Sequence, residues 1–167
     1  MASGDRLALF LPSGNEPPSS NYATLDTRNL HLILDFDATT DEEAVWTDKL
    51  PENYDDGGIT VRIGYSMSSA EADDVVWQVA LERIGDQQLD VDGDSFAAFQ
   101  SSGAVTVPGT SGLVDVATVG LTHGAQMDSV AAGEQYRLKL RRDADSTSAT
   151  DDAAGDAEVH FVEVIEA

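Results

Sequence analysis

A chain of 167 residues with 41% hydrophobic side chains carries enough apolar material for a folded core, which excludes wholesale disorder. Its 31 acids against 9 bases give a formal net charge of -22, so phosphate backbones are repelled and nucleic acid is excluded as an expected partner. Cysteine is absent, which removes disulfides and thiolate metal sites.

Such acidity fits salty surroundings or crowding at high density on a particle, where added carboxylates keep copies apart. No basic start leads into an apolar run of the signal type, and "DRLALFL" is far too short to span a bilayer. The expectation is a soluble protein with no encoded export signal and no membrane partner.

Residues 1–21 open the chain as a strand or arm and then a Pro-rich loop, "LPSGNEPPSSN", that continues neither strand nor helix. In "RNLHLILDFD", Leu30, Leu32, Leu34 and Phe36 alternate with His31, Ile33, Asp35 and Asp37, the period of a half-buried strand. "EAVWTDKL" is a shorter strand, stopped by Pro51 and the loop "PENYDDGG". "GITVRIGYSM" and "VVWQVALERIG" follow as strands on either side of the acidic turn "SSAEADD", and Tyr65 and Trp77 belong to the core. Between Asp86 and Ser111 the chain is polar and broken by Gly and Pro, with room for a short helix at "DSFAAFQ".

"GLVDVATVGLT" resumes the alternation, and "AQMDSVAAGEQ" allows one helical turn before Gly133. "EQYRLKLRRDA" sets Tyr136, Leu138 and Leu140 against Arg137, Lys139 and Arg141, whose basic face is expected in solvent. The last strand, "AEVHFVEVIEA", groups Val159, Phe161 and Glu163 against His160, Val162 and Val164. About eight strands at even spacing, without a convincing amphipathic helix, predict one all-β domain over residues 1–167: an antiparallel, jelly-roll-like sandwich.

Chemical motifs are sparse. Asp90, Asp92 and Asp94 suit a hard cation, but Ser95 stands where an EF-hand loop needs its turning glycine, and a solvated acidic turn is the simpler reading. His31, His123 and His160 lack metal-ligand spacing, and strand alternation puts His31 and His160 on a surface. Among so many carboxylates, a pair suited to glycoside hydrolysis carries no signal. "GTSG" lacks the spacing of a nucleophile elbow, and no phosphate-cradling loop occurs. No catalytic residue, cofactor or metal is therefore assigned, and no enzyme activity is expected. Trp46 and Tyr54, flanking Pro51, are the aromatics with a claim to a ligand surface. Leu7, Leu9, Phe10 and Tyr22 are candidate partner contacts, or else residues of a first core strand.

The runs "RNLHLILDFDATTDEEAVWTDKLPENYDDGGITVRIGYSM", "DVVWQVALERI", "LDVDGDSFA" and "DSVAAGEQYRLKLRRDA" resemble small acidic β-sandwich proteins encoded among the structural genes of tailed bacteriophages. That resemblance implies a virion protein, foremost a homotrimeric capsid decoration (cement) protein bound to the major capsid protein on the outer capsid surface. Under it the "LPENYDDGG" loop serves shape, with Tyr54 over the end of the sandwich. The alternative is a tail spike, a fibre or a host-receptor module that binds carbohydrate. An acid-rich hydrolase on the same sandwich is a third possibility, requiring a cleft of carboxylates with displaced pKa.

Overall fold

The computed structural model describes residues 2–167; Met1, the first residue of the expected domain and arm, lies outside them. The strands are β1 (Arg6–Phe10), β2 (Thr24–Arg28), β3 (His31–Phe36), β4 (Glu43–Lys49), β5 (Ile59–Met67), β6 (Asp74–Ile84), β7 (Gln100–Thr106), β8 (Asp115–Leu121), β9 (Gln135–Arg142) and β10 (Ala157–Glu166). Single 3-10 turns at Pro12–Gly14 and Ala125–Met127 are the helical pieces among the described residues. All pairings between the strands are antiparallel. One sheet of six strands runs β2-β3-β10-β5-β8 with β1 also on β10, and a second of four runs β4-β9-β6-β7.

Alternation explains how the two sheets face each other. Val61, Ile63 and Tyr65 of β5 and Val159, Val162 and Val164 of β10 meet Trp77, Val79 and Leu81 of β6 and Leu138 and Leu140 of β9 in one buried cluster. Trp77 stands at its centre, edge-on to Phe36 at 5.2 Å and to Tyr65 at 5.6 Å. Each such pair adds roughly 0.5–1.5 kcal/mol to what its burial alone contributes.

Four expectations are corrected by packing. The segment before β7 holds no helix at residues 94–99. It lies along the outer side of the smaller sheet, tied by Ala97 N–H to Leu81 O, and puts Phe96 against Lys139 and Arg137 and Phe99 against Arg141. The basic face is thus covered rather than solvated, and β6 is buried on both sides. In β10 a bulge at His160 shifts the phase, because Val159 lies opposite Tyr65 and Phe161, two residues on, opposite Gly64. Val162 and Val164 therefore enter the core while Phe161 turns outward. In β3, Leu34 and Phe36 are buried, but Leu32 is 39% and Leu30 97% exposed, since the hairpin leaves the sandwich there.

The long connection from β9 to β10 is held from inside. Arg142, fully buried, donates Nε–H and Nη2–H to the Asp151 carboxylate at 3.1 and 2.8 Å. The same guanidinium donates to Ala153 O at 2.7 Å and Gly155 O at 2.8 Å. This clamp sets where β10 begins, and β10 carries two groups of the cleft described next.

Candidate functional site

Two of the three histidines converge on the outer side of the larger sheet. The β2–β3 hairpin turns through Asn29 and Leu30, both at positive φ (46° and 68°), the left-handed pair of a two-residue I′ turn. β3 pairs with β10 only as far as Val159, and β1 occupies the same edge of β10 from Val162 onward. Freed from the edge, the hairpin tip overlies β10 and β5. Between it and the loop entering β8 lies a cleft of about 270 Å³, lined by Arg28, Asn29, His31, Ser66, Gly112, Val114 and His160.

Arg28 is the clasp. Its Nη1 donates to Glu158 Oε2 and to Met67 O (2.9 Å), and its Nη2 to Ser111 Oγ (2.8 Å), whose hydroxyl passes its own proton to Ser68 O at 2.9 Å. Gly112 makes room: its φ is +75°, and a Cβ there would stand 2.9 Å from Arg28 Nη2. On the floor, Ser66 Oγ–H donates to Glu158 Oε2 at 2.9 Å, and Oγ lies 2.9 Å from His160 Nε2. A hydroxyl has one proton, so His160 Nε2–H is the donor in that contact. Beside them the Phe161 ring lies on the β5 backbone, a contact available because Gly64 has no side chain.

Ser66 is thus held from both sides, its Oγ–H committed to Glu158 and its oxygen accepting from His160. Burial lowers the pKa of His160, and His31 and Arg28 lower it further against the opposing Glu158. Asp35 sits opposite Glu158 across β3 and β10, with its Oδ1 buried and unpartnered. Burial, then the Asp156 and Glu158 charges, push its pKa up to about 6.

The residues picked out in the sequence are scattered. Trp46 and Tyr54 are corrected as ligand-surface candidates, since they are 2% and 5% exposed. Trp46 stacks on Phe10 at 5.7 Å and donates Nε1–H to Leu11 O, under the Pro12–Gly14 turn. Tyr54 closes the end of the sandwich, accepting Gly58 N–H on its hydroxyl at 3.0 Å, with His123 beside its ring. Phe10, 7% exposed, is corrected from partner contact to core, and Leu7 packs against that core. Leu9 and Tyr22 do face solvent, Tyr22 on a shallow groove of about 200 Å³ with Pro12, Pro17 and Leu25. A larger groove of about 660 Å³ lies between the ends of β4, β6 and β9, but its Lys49 and Glu134 are committed to Glu52 and Arg83.

For a metal, Asp41, Asp143 and Asp145 form the acidic group whose oxygens approach within 4.8 Å among the described residues. They do not fit a cation. Asp143 accepts four hydrogen bonds, from the N–H and hydroxyl of Thr147 and of Ser148. Those bonds outweigh the opposing effect of burial and hold its pKa at about 2. Asp41 is engaged by Asp145 N–H and Arg141. The cluster fastens a loop. Asp90, Asp92 and Asp94 line one groove of about 470 Å³, but Asp94 there accepts from Arg137 at 3.0 Å.

No family model and no curated protein matches the sequence. Among solved structures, the chain is similar to a carbohydrate-binding module, CBM36, in complex with calcium and xylotriose. The TM-score is 0.50 at 15% identity, over 95% of this chain and 99% of that one. It is also similar to the C-terminal CBM6 of LamC, a marine laminarinase from Zobellia galactanivorans, with a TM-score of 0.51 at 11% identity over 95% and 98%. The fold is that of the jelly-roll β-sandwich these modules share. No helix among the described residues is long and apolar enough to cross a membrane.

Proposed function

We propose that the chain is a carbohydrate-binding module whose ligand sits in the cleft between the β2–β3 hairpin and the loop entering β8. The observation that carries this reading is the convergence of Arg28, Asn29, His31, Ser66 and His160 on one space of about 270 Å³. A sugar presents hydroxyls that both donate and accept, and mixed side chains fixed by a second layer of bonds meet that need with little reorganisation. The volume is just under the about 300 Å³ at which small-molecule pockets begin, which suits the end of a chain. Val114, 50% exposed, supplies apolar area for a ring face. The likeness in fold to carbohydrate-binding modules supports the reading. Capsid decoration draws on the sequence resemblance alone, while its receptor-binding alternative is compatible with a glycan cleft.

Affinity electrophoresis through gels containing soluble polysaccharides tests it. At least one glycan is expected to retard the protein, with the retardation lost in His160→Ala and kept in Tyr22→Ala. Unretarded migration on every glycan, or equal retardation of His160→Ala, contradicts the reading.

A further inference from the structure

The cleft is out of character for its chain. Against 31 acids, 9 bases and 3 histidines in the whole sequence, its lining contains Arg28, His31 and His160 and no carboxylate. Glu158, the acid nearest to it, is 7% exposed and turned beneath the lining toward Arg28 and Ser66. Donor capacity is left over. Arg28 has its Nε–H and part of Nη2 unspent, and His31 makes no hydrogen bond within the described residues; His160, whose Nε2–H goes to Ser66, can donate from Nδ1 only when its ring is protonated. A hydroxyl needs donors and acceptors alike, while an anionic group needs donors only, and bonds to charged groups are about twice as strong as neutral ones.

We infer that the glycan taken here is an acidic one, with a carboxylate or sulfate on the sugar that enters the cleft, received by Arg28, His31 and His160. This rests on the carbohydrate-binding reading. The net charge of -22 opposes an anion at long range, but in about 0.15 M salt that field is screened beyond about 8 Å. Within the cleft the near groups decide. These are Arg28 from β2, His31 from β3, and His160 with Glu158 from β10. Asp35 lies behind Glu158, β5 offers the uncharged Ser66, and Asp115 of β8 faces the Tyr65 hydroxyl at 3.4 Å instead. Protonation of His160 adds its Nδ1–H to the donors, and because burial, with His31 and Arg28, lowers its pKa, this gain comes only toward the acid end.

Calorimetric titration with oligogalacturonate, its methyl ester, a sulfated galactan oligosaccharide and neutral xylo-oligosaccharide, at pH 5.5 and 8, reads this directly. At pH 5.5 at least one acidic probe is expected to bind about tenfold tighter than the neutral probes, the gap narrowing at pH 8. Whichever acidic probe is the tighter names the anion. In His31→Gln the gap should fall below about threefold, with the melting temperature unchanged because His31 has no hydrogen bond to lose. Neutral probes binding as tightly as acidic ones would overturn the acid preference and leave the carbohydrate reading standing. No binding by any probe would overturn both, and a preference untouched by His31→Gln would remove the anion from this cleft.

Discussion

Replacing Arg142 with Met tests the clamp that sets the start of β10. Met follows the aliphatic stem but lacks the guanidinium, so the change removes the charge, its hydrogen bonds and the volume of the fork. Both oxygens of Asp151 lose a partner, the first keeping none and the second only Val76 N–H at 2.9 Å, and the carbonyls of Ala153 and Gly155 lose theirs. Both ion-pair partners are fully buried, and breaking such a pair from one side costs roughly 3–5 kcal/mol. In a domain of this size each kcal/mol shifts the melting temperature by about 2–4 °C, which makes the expected loss about 6–20 °C. Urea denaturation followed by tryptophan fluorescence should report about 4 kcal/mol, since Trp77 sits in the core. The double variant Arg142→Met with Asp151→Leu should lose less than the sum of the singles, because no charge is left stranded. A loss below about 1 kcal/mol for Arg142→Met, or strict additivity, would refute the clamp.

Other outcomes follow from the same geometry. Asp35 has a folded-state pKa of about 6 against 3.8 unfolded, so the folded state favours its proton and loses stability as pH rises from 3.8 through 6. Asp35→Asn should therefore stabilise at pH 7.5, on the order of 1 kcal/mol after solvent screening, and not at pH 3.5; thermal melts at both pH values check it. Gly112→Ala should abolish glycan retardation and cost about 1–3 kcal/mol, because the new methyl meets the Arg28 guanidinium at a left-handed backbone position. Calcium at millimolar concentration should leave the melting temperature within about 1 °C, given that all of Asp143's acceptor capacity is committed.

How far the sequence can be read depends on how one-sided each element is. Strands β5 and β9 alternate visibly, and β6, buried on both sides, still alternates Trp77, Val79 and Leu81 with smaller or polar residues, so their ranges emerge from period. β2, "TLDTR", and β7, "QSSGAVT", escape notice because both are edge strands without a buried row. Phe161 and Val162 are misassigned for a related reason: one extra residue at the bulge reverses the phase, and nothing in "VHFVEV" announces it. Trp46 reads as exposed because its cover comes from Pro12–Gly14, more than thirty residues away in the chain. The cleft is the hardest case. Its residues come from β2, β3, β5, β10 and the loop before β8, and His31 and His160 look like unrelated surface histidines until the hairpin leaves the sheet edge. The turn pair "NL" at Asn29 and Leu30 is the local signal, a weak one because Leu rarely takes a left-handed position.

The central claim, that a glycan occupies this cleft, is tested most directly by amide chemical-shift mapping on isotope-labelled protein titrated with a glycan that retards it. The account predicts that the shifts cluster at Asn29, His31, Ser66, Gly112, Val114 and His160. Shifts gathered instead around Tyr22 and Pro17, or in the groove between Lys49 and Glu134, would contradict it.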